Sequence, residues 1–111
     1  MSSRQNLPSI EELIGNLQDP DQVVRLYAAT VLGSMGEDAA PAVPALLDLL
    51  KAGNVHDRKL AALTLGEIGP AAGDAIPDLL EAANDEDDDV SDLAIAALEE
   101  IDLPDVEEEA A

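Results

Sequence analysis

Apolar residues recur along this chain at helical spacing, and the spacing itself recurs. Ile10, Leu13, Ile14 and Leu17 fall at steps of three and four, which lines one face of an α-helix. The set returns 33 residues later as Val43, Leu46, Leu47 and Leu50, and 33 later again as Ile76, Leu79, Leu80 and Ala83. A second set alternates with it. Val24, Tyr27, Ala28, Val31, Leu32 and Met35 point inward from a helix over about Asp21 to Ser34. Copies of that helix run from Asn54 to Ile68 and from the acidic turn at 84–89 to Ile101. Self-similarity at a fixed period predicts an all-α chain of three antiparallel helix pairs stacked as an α-α superhelix with a 33-residue period. The units are expected at about 7–36, 40–69 and 73–103, with a frayed N-terminus at 1–6 and an acidic tail at 104–111.

The residues between the apolar runs supply the punctuation. Ser9 and Glu12 have the spacing of a capping box, in which hydroxyl and carboxylate satisfy free backbone donors at a helix start. Asp19 is expected to cap the second helix with Pro20 in its first position, and Asn54 to cap the fourth. Gly36 and Gly69 end the second and fourth helices, Pro41 and Pro44 lie near the start of the third, and Pro104 forbids continuation of the last. Ala28, Ala29, Ala61 and Ala62 allow close helix approach. Gly33 and Gly66 stand inside helices, at a propensity cost of about 1 kcal/mol each relative to alanine, which implies close contact there.

These positions resemble a known repeat. Asp19, Val24, Arg25, Ala28, Ala29, Leu32, Gly33 and Gly36, followed by Ala42 to Leu47, look like a HEAT repeat of the short phycobilisome-lyase variety. They return as Arg58, Ala61, Ala62, Leu65, Gly66 and Gly69, then Ala75 to Leu80. The resemblance implies a protein-binding scaffold, and a ladder between units made by the Asp before each second helix and the Arg within it. Asp19 is matched by Ala52 and Asp85, and Arg25 by Arg58 and Ser91, so only a short ladder is expected. The third copy replaces both glycines, by Glu99 and Asp102, which reads as a capping repeat whose outer face meets water.

Composition narrows the function. Tyr27 is the only aromatic residue, so the core is aliphatic, and the absence of cysteine excludes disulfides and thiolate metal sites. No apolar run suits a signal peptide or a membrane span, and the expected location is cytoplasmic. The net charge of −20 is unevenly spread: −3 over residues 1–59 and −17 over residues 60–111, where there is no Lys or Arg. Such a surface disfavours nucleic acid and anionic membrane.

Chemistry-bearing residues are sparse. His56 is the lone histidine, and Ser9, Ser34 and Ser91 have no base beside them. Asp85, Asp87 and Asp89 occupy positions 1, 3 and 5 of a calcium loop, but Val90 and Ala96 stand where that loop needs Gly and Glu. The run therefore reads as an acidic turn at the positive end of the last helix. No metal or cofactor is expected, and no catalysis.

The expected function is a non-catalytic scaffold that binds a partner segment on the concave face of the second helices. Its outward positions are Gln22, Leu26 and Ala29, then Val55, Lys59, Ala62 and Leu63, then Asp88, Asp92 and Ile95. A face that is apolar in the middle and acidic at one end suits a partner helix with an apolar stripe and a basic end. The resemblance implies an alternative, an accessory or subunit of a bilin-lyase-type enzyme. A further alternative is self-association through Leu26, Leu63 and Ile95, with the chain a monomer or weak homodimer.

Overall fold

The computed structural model describes residues 8–101; the expectations for residues 1–6 and 104–111 lie outside them. The described residues form six α-helices and no strands: α1 (Ile10–Asn16), α2 (Gln22–Ser34), α3 (Val43–Ala52), α4 (Val55–Ile68), α5 (Ile76–Ala82) and α6 (Asp88–Ile101). The starts of α2, α4 and α6 are spaced by 33 residues, as are those of α1, α3 and α5.

Local chemistry sets these boundaries. The Ser9–Glu12 capping box forms as predicted, with the Glu12 N–H donating to Ser9 Oγ at 3.1 Å and the Ser9 N–H to Glu12 Oε1 at 2.9 Å. The cap of α2 is Asp21, whose carboxylate accepts from the Val23 N–H at 2.8 Å. Asp19, expected in that role, instead accepts from the Asp21 N–H at 2.8 Å, which places Pro20 in the turn before the helix. The same repeat position caps the later helices. Asn54 accepts from the Asp57 N–H at 2.8 Å, and Asp87 from the Asp89 and Val90 N–H groups at 2.9 and 3.1 Å. At the other helix ends, Gly36 and Gly69 take φ of 60° and 83°, a left-handed backbone that a side chain disfavours.

Two segments between the pairs, Gly36–Ala42 and Gly69–Ala75, form 3-10 turns that the apolar pattern does not reveal. Their alanines Ala39, Ala42, Ala72 and Ala75 are fully buried, and the two segments pack on each other and on α4. Small residues suit this place because bulky ones would push the helix pairs apart.

The core is aliphatic throughout. Leu13, Leu17, Leu32, Leu46, Leu65 and Leu79 are buried to within 1% of full burial, among Ala28, Ala61, Ala94 and their neighbours. Helix α4 lies centrally, packed against α2, α3 and α6. Gly66 faces α6 so closely that a Cβ there would stand 3.1 Å from Ala97 Cα; Gly33 is likewise covered by Glu67. The close helix contact implied by an internal glycine is therefore present at Gly66, whereas Gly33 is met chiefly by the flexible carboxylate end of the exposed Glu67 side chain. Three expected core residues lie outside it: Tyr27 is 53% exposed, Leu80 55%, and Val24 is half-buried without joining the core. Among the described residues, Tyr27 sits on the first helix of its row and Leu80 on the last of the other row, while their repeat counterparts Leu60 and Leu47, on the middle helices, are half-buried.

Candidate functional site

Helices α2, α4 and α6 lie side by side, and a groove of about 550 Å³ crosses all three. Its apolar floor is Leu26 from α2, Leu60 and Leu63 from α4, and Leu93 from α6. Gln22, His56, Asp57, Lys59, Asp89 and Asp92 complete the lining. Leu63 and Leu93 continue into a smaller depression of about 270 Å³ between α4 and α6. Lys59 reaches across the groove to Asp89, Nζ to Oδ2 at 3.6 Å.

Of the ten outward positions expected from the sequence, Gln22, Leu26, Lys59, Leu63 and Asp92 line this groove. Ala29 is a correction: it is fully buried, because its short side chain lies where neighbouring helices meet; Ala62 is as deeply set but lines the smaller depression between α4 and α6. Val55 is half-buried and stands outside the lining, while Asp88 and Ile95 are exposed beside it. The lining also includes His56, Leu60, Asp89 and Leu93, which sequence reasoning left out. With Asp57, also left out, they belong to three repeat positions, those of Val23, Val24 and Tyr27. His56, expected to be merely solvated, is exposed on the groove wall.

Beneath the groove, two arginines tie successive pairs together. Arg25 Nε donates to Asp57 Oδ1 at 3.0 Å, and its Nη1 to the carbonyls of Asp19 and Pro20 at 2.8 and 3.1 Å. Arg58 Nε and Nη2 grip the two oxygens of Asp85 at 3.0 and 3.3 Å, and its Nη1 donates to the Gly53 carbonyl at 3.0 Å. Each guanidinium thus joins its own turn to a carboxylate of the next pair. The acidic run is engaged in the same way: Asp85 also accepts from the Asp87 N–H at 2.9 Å, and Asp87 caps α6. Among the described residues, no cluster of His, Asp or Glu is arranged to hold a metal, and no helix is long and apolar enough to cross a membrane.

The sequence profile of HEAT repeats matches residues 10–99, nearly the whole chain. This chain belongs to the HEAT-repeat family. No curated protein matches it. HEAT repeats commonly mediate protein–protein interaction, and a groove with a leucine floor is compatible with that use.

The two ladder rungs of this HEAT-repeat protein differ in origin. Asp85 occupies the position that the family pattern gives to Asp, whereas Ala52 stands there in the second copy and Asp57 takes its place from within α4. The Asp87 N–H and then the Arg58 guanidinium hold the Asp85 carboxyl below its ordinary value of 3.8, against a smaller opposing effect of burial. The folded protein therefore binds this proton less tightly than the unfolded chain. Its stabilisation is complete above the unfolded value and is lost as pH falls through the depressed folded one. Asp85→Asn is expected to destabilise the protein at neutral pH, with the gap to wild type narrowing below about pH 4. Urea unfolding across that range checks it; a gap independent of pH would detach the stabilisation from the charge of Asp85.

Proposed function

We propose that this chain is a non-catalytic protein-interaction scaffold: a short α-α superhelix of three helix pairs that holds a partner helix along the α2–α4–α6 groove. The apolar floor carries this reading. Leu26 and Leu63 are 51% and 46% exposed at the surface, and with Leu60 and Leu93 they make a strip that an i, i+3, i+4 apolar stripe would cover. Asp89 and Asp92 put negative charge at the α6 end, which favours basic residues at that end of the partner.

The polar groups with defined geometry support a non-catalytic role, because their contacts are structural. Ser9 and Asp87 cap helices, and both arginines close the turns. The short repeat length favours the phycobilisome-lyase variety of HEAT repeat as the repeat type.

The test uses a synthetic amphipathic helical peptide with a leucine stripe and lysines at one end, titrated by calorimetry. Leu63→Glu is expected to abolish binding. Asp89→Lys combined with Asp92→Lys is expected to weaken it about tenfold and to flatten its salt dependence. Equal affinity for a peptide ending in glutamates would refute the charge complementarity, and unchanged affinity of Leu63→Glu would refute the groove.

A further inference from the structure

The groove does not end at its leucine floor. Between the C-terminal halves of α4 and α6 lies the depression of about 270 Å³, and Leu63 and Leu93 belong to both. A side chain can therefore pass from one to the other along apolar surface. The floor of the depression is made of small residues, Ala62 and Gly66 on α4 and Ala96 and Ala97 on α6. The two helices touch beneath it, since a Cβ at Gly66 would stand 3.1 Å from Ala97 Cα.

The far rim is charged. Glu67 and Glu100 hold the same repeat position on the two helices, and both line the depression one to two helical turns beyond the leucines, roughly 6–10 Å along the axis. Among the described residues neither is ion-paired. Arg25, Arg58 and Lys59 are held by Asp57, Asp85 and Asp89, and Lys51 lines a separate crevice with Asp78 and Glu81. Residues 60–111 contain no Lys or Arg that could neutralise the rim from nearby in the chain.

The preceding interface lacks this arrangement. Between α2 and α4, Ser34 stands at the position of Glu67, and the Glu67 side chain itself folds over Gly33. The rim of two carboxylates is thus particular to α4 and α6 among the described residues. An apolar path that ends in two unpaired carboxylates suits a side chain with an aliphatic stem and a cationic head. Leucine or methionine would leave the carboxylates without a partner, and an acidic side chain would be repelled by them.

We propose that the α4–α6 depression seats one lysine or arginine of the partner helix, its stem along Leu63 and Ala96 and its charge between Glu67 and Glu100. This subsite rests on the groove being the partner's seat, and it sets the register of that helix. The basic residue flanks the leucine stripe, apart from the basic end that faces Asp89 and Asp92.

A positional scan tests it. In the leucine-stripe peptide, each position flanking the stripe is made lysine or norleucine in turn; norleucine keeps an aliphatic stem and lacks the charge. At one position lysine is expected to bind about fivefold more tightly than norleucine, and the preference shrinks in added salt. Glu67→Gln combined with Glu100→Gln is expected to abolish that preference. Ala96→Leu, which fills the depression from an exposed position, is expected to abolish it too. Leu26→Glu, in the groove alone, is expected to weaken every peptide alike and keep the preference. Peptides that bind with no preference for lysine would overturn the subsite and leave the groove standing. So would an equal preference at every position, which the net charge of −20 alone would produce, or one that persists in the double glutamine variant. Failure of every peptide to bind would remove the groove, and the subsite with it.

Discussion

Replacing Asp57 with alanine is expected to lower the unfolding free energy by about 3–5 kcal/mol, a large part of the ~5–15 kcal/mol that holds a typical domain folded. The reason is what the substitution leaves behind. Asp57 is 6% exposed, and it is the carboxylate partner of Arg25, whose side chain is 13% exposed. Without it, the guanidinium keeps only the Asp19 and Pro20 carbonyls and stays largely out of water as an unpaired charge. Gly53 makes the site possible, because a Cβ at 53 would collide with the Asp57 side chain. The loss should therefore exceed that of an exposed ion pair such as Lys59–Asp89, for which about 0–1 kcal/mol is usual. A double variant, Arg25→Met with Asp57→Leu, is expected to recover most of the loss, since it removes both charges together. Urea denaturation at neutral pH measures all three. A cost of Asp57→Ala below about 1 kcal/mol would show that Arg25 finds water instead.

That rung also marks where the sequence stops being informative. The helices were legible because Ala28, Leu32 and Gly33 return as Ala61, Leu65 and Gly66, and packing positions repeat when packing does. Asp57 was not legible, since its counterparts are Val24 and Val90, and a repeat alignment marks the position as apolar. Only the stacking of α4 on α2 brings its carboxylate to Arg25.

The groove was half legible for a related reason. Leu26, Lys59, Leu63 and Asp92 differ between copies as outward residues do, and they do line it. Ala29 and Ala62 lie on the edge of that face, where the angle between helices decides whether an alanine is covered. Leu60 and Leu93 lie on the opposite edge and become groove floor by the same angle. The 3-10 segments carried no pattern, because runs of Ala, Gly and Pro have no bulky residue to mark a period.

Leu65→Ala is the second substitution expected to be severe, costing about 2–5 kcal/mol, with the value near the top of that range. Leu65 is fully buried on α4, the helix packed against α2, α3, α6 and both 3-10 segments. A cavity there closes only if those elements move inward, and they are already in close contact: Gly66 meets Ala97 with no room for a side chain. A core of leucines and alanines, with no aromatic ring to swing into the space, cannot refill it. Leu79→Ala removes an equally buried leucine from α5, in the last pair, where no further helix among the described residues confines the relaxation. It is expected to cost less and to loosen the α5–α6 pair before the rest. In a stacked array each unit is stabilised by its neighbours, so a defect in the middle weakens two interfaces and one at the end weakens one. Thermal unfolding separates the cases, at about 4–8 °C per kcal/mol for a domain of this size. Equal shifts for Leu65→Ala and Leu79→Ala would mean that α4 is no more tightly held than the ends, and that the chain unfolds as one unit whichever interface is cut.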